Sequence, residues 1–450
     1  EKKQKVSNDE IDDIEDLGYT FQSEEIENIR NNLLSWYDNK EEREMPWRIS
    51  QEDWETQKSN VNEDSTSDSI LTQRAYEVWV SEVMLQQTRV QTVIEYFTKW
   101  MKKFPTVEAL ANAELDEVNE EWAGLGYYRR AKHLHSGAKK VMEEYNGIIP
   151  NTSKDLLSLP GIGKYTAGAI ASIVFGESVP VVDGNVIRVI SRLRMISEDP
   201  KVAKTQKIFW DLTGQVVDKK RPGCFNQAVM DLGASLCSVK APECSKCPLQ
   251  KECKVYQASI DDKQSVLVTD YPTKVKKAAP RLETIYVCVF YVMDESSNGD
   301  SNIKYLIVQR PAEGLLASMW EFPTCNMNSE KVASLDERRT LFIKYFTDNL
   351  GVKSKLPESR KKGQKKGFWN LGKTSHIFSH IKQTLYVDAC ELSSEFCTKE
   401  SNDSKVNYRW VSSEELENAA LSKGMRKCHK LFTDNCKSSQ TSIASFFSKK

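Results

Sequence analysis

Cys237-Ser238-Val239-Lys240-Ala241-Pro242-Glu243-Cys244-Ser245-Lys246-Cys247-Pro248-Leu249-Gln250-Lys251-Glu252-Cys253 gathers four thiols in one short polar stretch. The gaps between them are six, two and five residues. A loop this short and polar buries little apolar surface, so it needs a ligand to hold its shape. Four thiolates on one ion or cluster supply that hold. Zinc usually draws paired C-x2-C knuckles, and only Cys244 and Cys247 form such a pair. The compact, uneven run suits a cubane iron–sulfur cluster better, although spacing alone leaves both ligands open.

Around this loop, composition sets the bounds. A chain of 450 residues holds two or three domains, and 39% hydrophobic content is enough for real cores. The formal net charge is −1, so any field that attracts nucleic acid must be local. No apolar run of about 18 residues is present, and no membrane span is expected. The other seven cysteines show no disulfide framework, and nothing reads as a secretory signal, which points to a reducing compartment. The chain opens at Glu1 rather than Met, which leaves room for a targeting segment ahead of it.

Upstream of the cysteines, residues 1–20 are charged and read as disordered. The polar stretch Gln51–Asp68 reads as an inserted surface loop. From Ala75 to Cys253, amphipathic helices alternate with Gly, Pro and Asn breaks, which predicts an all-α body over residues 21–256. Within it, Leu159-Pro160-Gly161-Ile162-Gly163-Lys164-Tyr165 predicts a tight turn at Gly161 and Gly163 followed by a small-residue helix, Ala167–Ile173. Such a turn leaves backbone N–H groups free at a helix start, where phosphate binds. Asp183, flanked by Val182 and Gly184, reads as a half-buried carboxylate at a helix N-cap. Glu82 reads as lying near the start of a helix whose core stripe is Val83, Val90, Ile94 and Phe97. Taken singly, each of these has a bland structural reading: a cap, a helix-start glutamate, an αα-hairpin.

Together they resemble a family. The cysteine spacing is similar to the iron–sulfur loop of the endonuclease III and MutY glycosylases, and Leu159–Gly168 resembles the helix-hairpin-helix of DNA repair enzymes. Ser81-Glu82-Val83-Met84-Leu85-Gln86-Gln87-Thr88, Trp122-Ala123-Gly124-Leu125-Gly126-Tyr127-Tyr128 and Phe225-Asn226-Gln227 resemble the MutY adenine glycosylases. That resemblance implies a [4Fe-4S] cluster on Cys237, Cys244, Cys247 and Cys253, and a hydrolase acting on adenine opposite 8-oxoguanine or guanine in double-stranded DNA. It implies Glu82 as the acid that protonates adenine, Asp183 as the carboxylate that stabilises the sugar cation, and Tyr165 and Asn185 as their support. Breaking an N-glycosidic bond calls for such a pair, one protonated and one ionised. Tyr165 stands where lyases of the superfamily place a nucleophilic Lys, so a monofunctional enzyme is expected. Trp47, Arg48 and Asp231 resemble residues of the adenine pocket. Leu85, Gln87, Thr88, Leu125 and Tyr127 resemble contacts beside 8-oxoguanine, with Tyr127 as the wedge that helps offset unstacking.

Residues 257–280 read as a linker, and β-branched runs at Thr284–Met293, Tyr305–Val308 and Thr384–Val387 predict an α+β domain over 281–430. Gly314–Pro323 resembles the start of a Nudix domain, but Asp336-Glu337-Arg338-Arg339 does not supply the glutamate-rich metal helix. A Nudix-like module that recognises 8-oxoguanine is expected, with Phe378, Ser379 and His380 matching the lesion-contacting loop. The basic stretch Arg360–Lys366 reads as a mobile loop. Residues 431–450 read as a disordered tail whose Gln440, Ile443, Phe446 and Phe447 resemble a PCNA-interacting box. A monomeric nuclear protein follows, with room for a mitochondrial pool. The alternatives are an endonuclease III-like glycosylase/lyase, a non-catalytic iron–sulfur DNA-binding scaffold and a Nudix pyrophosphatase.

Overall fold

The computed structural model describes residues 18–39, 45–59, 67–262, 266–273, 279–293, 303–326, 332–352, 356–360, 367–378, 380–397 and 404–447, without the side chains of 51, 58, 59, 67 and 437–447. The chain divides into two compact units, Glu1–Asn112 with His133–Lys276 and Ala113–Lys132 with Lys277–Lys450. Residues 113–132, which the sequence pattern assigns to the helical body, thus group with the C-terminal module. Within that unit Gln309 donates to Asp116 (3.3 Å) and Lys132 donates to the Ala312 carbonyl (3.1 Å).

Among its described residues the first unit is helical. Its helices are α1 (Ser23–Asn39), α2 (Gln51–Ser59), α3 (Ser67–Leu85), α4 (Val90–Lys103) and α5 (Val107–Asn112). The short α6 (Leu115–Glu121) belongs to the second unit, and α7 (Arg129–Tyr145) starts there and continues into the first. There follow α8 (Ser153–Leu156), α9 (Lys164–Val174), α10 (Gly184–Arg194), α11 (Ala203–Val216), α12 (Pro222–Ala234) and α13 (Lys254–Asp261). The C-terminal half of α3 is buried on nearly every side, with Tyr76, Trp79, Val80, Val83 and Met84 all in the core. A helix apolar all round belongs at the centre of a bundle.

Four local expectations change. The stretch Gln51–Asp68 is not simply a loop: α2 forms because Trp54 is buried, and α3 begins at Ser67. Glu82 lies in the last turn of α3, not near a helix start. The presumed single stripe from Val83 to Phe97 breaks at Gln87, whose φ of 57° is left-handed, so Val83 sits on α3 while Val93 and Phe97 form the buried face of α4. The linker also begins later than its composition indicates, because Val255 is buried and anchors α13.

The second unit is built on a seven-stranded mixed sheet. Its strands are β1 (Arg281–Met293), β2 (Ile303–Gln309), β3 (Trp320–Glu321), β4 (Thr324–Asn326), β5 (Phe368–Ile377), β6 (Ile381–Glu391) and β7 (Tyr408–Val411). The order is β3-β2-β1-β6-β5, with β4 on β1 and β7 on β2. Strands β1 and β6 run parallel and the other pairs antiparallel. One face carries Ile285, Val287, Leu385 and Val387 under α15 (Ser413–Asn418) and α16 (Lys423–Phe447). The other carries Tyr286, Cys288 and Phe290 under α14 (Leu335–Leu350). The expected disorder from 431 onward is corrected: Phe432 is buried and Leu431 and Cys436 pack on the core, which carries α16 past that point.

Helix α14 spends its charged residues on structure. Glu337 closes a capping box with Ser334, and Arg338 donates two bonds of 2.7 Å to Asp388 on β6. Their side chains are 7% and 0% exposed. Asp388→Ala leaves that guanidinium buried and unpaired, and should cost about 3–5 kcal/mol in chemical denaturation of the second unit.

Candidate active site

The Tyr165 hydroxyl donates a 2.5 Å hydrogen bond to Glu82 Oε2. The first turn of α9 and the last turn of α3 make that meeting, although the residues are 83 apart in sequence. Glu82 is buried. Burial raises its pKa above the ordinary carboxylate value, the nearby charge of Asp183 adds to the rise, and Tyr165 and Arg48 oppose it. The C-terminal end of α3 also disfavours a negative charge there. Glu82 is therefore built to hold a proton.

Asp183 meets the opposite end of a helix. It is the N-cap of α10 and accepts from the backbone N–H groups of Asn185 (2.9 Å) and Val186 (2.8 Å), and from Asn185 Nδ2 (2.8 Å). Burial raises its pKa above the ordinary carboxylate value, as it does for Glu82, and those bonds with the charge of Arg188 offset only part of the rise. Hydrogen bonds to a carboxylate and a helix N-terminus favour its charged form. The two carboxyls thus differ in setting: Glu82 meets the helix end that opposes negative charge, and Asp183 the end that favours it.

Tyr165 also lies 3.5 Å from Met230 Sδ, and burial lifts its phenol well above the usual range. Lys164, its neighbour, points elsewhere, with Nζ 5.9 Å from the Trp210 ring centroid. Tyr165→Phe removes a bond that favours ionised Glu82, so Glu82 should titrate higher. In any reaction that uses a Glu82 proton, the basic limb of the pH–rate profile should then move to higher pH, with the acidic limb little changed.

Arg48 forms a bidentate pair with Asp231 (2.6 and 2.8 Å), and its charge reaches Glu82. Trp47 is buried edge-on against Phe97 (5.3 Å), so in this structure it supports the site rather than lining an open surface. Leu85 ends α3, Gln87 is exposed in its left-handed conformation, and Thr88 donates to the Gln86 carbonyl (3.4 Å). Gly161 turns the hairpin at φ 80°, and a Cβ there would fall 2.5 Å from His133 Cβ. Gly163 caps α9 with an ordinary φ of −97°.

A network that the motifs do not mark ties Asp183 to the first cysteine. Arg188 donates to Asn185 Oδ1 (2.8 Å), the Gly233 carbonyl (2.6 Å) and the Cys237 carbonyl (2.9 Å). Gly233 is needed for that approach, because a Cβ there would lie 2.7 Å from Asn185 Cβ. Arg192, one turn on, donates to Cys237 Sγ (3.1 Å). The one sequence signal for it is the helical spacing of Asn185, Arg188 and Arg192, which puts them on one face of α10.

All four loop cysteines are free and partly buried. Burial comes first and neighbouring thiols add to it, pushing Cys247 up to about 12 and Cys253 to about 11. Among the described residues, no group of three or more His, Cys, Asp or Glu side chains is arranged to hold a metal ion. The donor set still fits an iron–sulfur cluster: four sulfurs, mutually felt, beside the cation of Arg192 and with no carboxylate or imidazole among them.

In the second unit, Tyr127 is 49% exposed and left-handed (φ 50°). Its turn is closed by bonds from Trp122 Nε1 and Arg130 to the Gly126 carbonyl, each 3.0 Å. Leu125, by contrast, is buried. Phe378 packs edge-on with His376 (4.5 Å) and His380 is exposed. Ser379, residues 361–366 and 1–17, and the side chains of Gln440, Ile443, Phe446 and Phe447 lie outside the described residues.

Two family models match the chain, one over each unit's main body. Residues 80–215 match the HhH-GPD superfamily of base excision DNA repair proteins, and residues 297–431 match the NUDIX domain. An adenine DNA glycosylase of Arabidopsis thaliana is 42% identical over 92% of this chain and 65% of its own length. One of Rattus norvegicus is 38% identical over 92% of this chain and 80% of its own. One of Schizosaccharomyces pombe is 33% identical over 95% and 94%. The fold and site therefore define a helix-hairpin-helix DNA glycosylase with a C-terminal Nudix-like domain. Within that class, the chain belongs to the adenine DNA glycosylase family.

Proposed function

We propose that this protein removes adenine mispaired with 8-oxoguanine or guanine from double-stranded DNA, by hydrolysis and without strand cleavage. The observation that carries the reading is the Glu82–Tyr165 bond beside Asp183. Glu82 gives its proton to the flipped adenine as the bond from C1′ to the base breaks, so the base leaves neutral. Ionised Asp183 stabilises the sugar cation, held in place by Asn185 and the α10 N-terminus. Water then adds its hydroxyl to C1′ and its proton returns to a carboxylate. Tyr165 is a phenol and cannot form the Schiff base that a lyase requires.

Cys237, Cys244, Cys247 and Cys253 would hold a [4Fe-4S] cluster, which when bound would order the loop and needs no part in the chemistry. The lysines of that loop, Lys240, Lys246 and Lys251, would face phosphate. Trp47, Arg48 and Asp231 would support the adenine pocket. Leu85, Gln87, Thr88, Leu125 and Tyr127 would contact DNA at the lesion pair. Phe378, Ser379 and His380 would read 8-oxoguanine, and Gln440, Ile443, Phe446 and Phe447 would dock on PCNA. A monomer acting in the nucleus is the setting these partners imply. The test is excision from A:8-oxoguanine, A:G and T:A duplexes under single-turnover conditions. Excision of adenine from the first two and not from T:A is expected. Equal excision from all three would refute the specificity.

A further inference from the structure

Among the described residues of the second unit, the two most exposed large apolar side chains are Leu282 (74%) and Ile377 (66%). They are not scattered. Leu282 on β1 is in register with Lys382 on β6, which is in register with Ile377 on β5. Register partners share a sheet face, and the Tyr286–Tyr386 ring contact at 5.9 Å confirms it two pairs further along. The next rows on this face are Thr284, Thr384 and Ser375, then Tyr286, Tyr386 and Lys373. Helix α14 covers the face from Tyr286 onward, since Arg338 lies over that ring (5.9 Å). Between Tyr286 and the β5–β6 hairpin the face stays open, with Lys373, Ser375, Ile377, Lys382 and Leu282 all exposed.

Its charge is one-sided. Glu283 is the only carboxylate among residues 281–286, 373–378 and 380–386. It is already engaged, paired with Arg281 at 2.5 Å and bonded by Gln383 at 2.9 Å. Lysines set among aliphatic and hydroxyl side chains match a nucleic-acid backbone, which alternates phosphate with apolar deoxyribose.

We propose that this open half-face of β1, β6 and β5 is a seat for the sugar–phosphate backbone of duplex DNA, with Lys373 and Lys382 on phosphates and Leu282 and Ile377 against deoxyribose. The seat adjoins the Phe378–His380 hairpin and rests on the reading of that hairpin as the lesion contact. It supplies sequence-independent affinity next to that contact rather than recognition of the damaged base itself.

The experiment uses the full chain with the pair Lys373→Glu and Lys382→Glu. Affinity for an undamaged duplex and for an A:8-oxoguanine duplex is measured between 50 and 200 mM salt (about the range over which phosphate binding dominates). The slope of log K against log salt should become shallower by about 2, one for each phosphate that is no longer neutralised, on both duplexes alike. Single-turnover excision at saturating enzyme should not change. Unchanged slopes on both duplexes overturn the proposal, as does a change in oligomeric state with DNA affinity intact, which would assign the face to a second copy. His380→Ala separates the two readings. Shallower slopes in the lysine variant together with an undiminished 8-oxoguanine preference in His380→Ala would keep the backbone seat and discard the lesion contact.

Discussion

Glu82→Gln should lower single-turnover excision by about 10²–10⁴-fold, the range that a positioned general acid supplies. The amide keeps the volume of the carboxyl and can still accept the Tyr165 hydrogen bond, so the site should keep its shape. What it lacks is a proton to give. The same substitution carries a stability signature. Burial raises the Glu82 pKa in the folded state, so the wild-type protein loses stability as pH climbs from the unfolded value through the folded one. Glu82→Gln removes that loss. It should match the wild type in acid and equal or exceed it at neutral and higher pH, measured by thermal unfolding across a pH series. Inactivity together with a higher melting temperature at neutral pH would identify a functional group held at a cost to the fold.

Asp183→Asn should lower excision by about 10²–10³-fold or more, because the developing sugar cation loses its counter-charge in a water-poor site. Asparagine is as good an N-cap as aspartate. It can keep accepting from the N–H groups of Asn185 and Val186, so α10 should stay in place. Affinity for an uncleavable duplex should remain within a few-fold of the wild type. If excision fell only in proportion to a loss of folded protein, Asp183 would be a cap and nothing more.

What the sequence reveals, and what it hides, divides along physical lines. The Asp183 N-cap is legible because capping is local: an aspartate before Gly184-Asn185-Val186 has few other uses. The short strand runs in β1, β2 and β6 are legible because β-branched residues cluster there. Strand β5 is not, because Gly372 and Asn370 interrupt its pattern at an irregular register. The position of Glu82 on its helix misleads, because the break at Gln87 depends on a backbone conformation that glutamine seldom signals. The bonds from Arg188 to the Gly233 and Cys237 carbonyls, and the grouping of residues 113–132 with the sheet, are beyond reach. They depend on how separate segments pack, and no single segment carries their pattern.

The most direct test of the central claim is the product of wild-type protein acting on a duplex with a labelled adenine strand opposite 8-oxoguanine, with and without alkali and with borohydride. A monofunctional hydrolase using Glu82, Asp183 and Tyr165 predicts an abasic strand that breaks only after alkali, with no protein–DNA adduct trapped. Strand cleavage before alkali accompanied by a borohydride-trapped adduct, or no release of adenine at all, would contradict it.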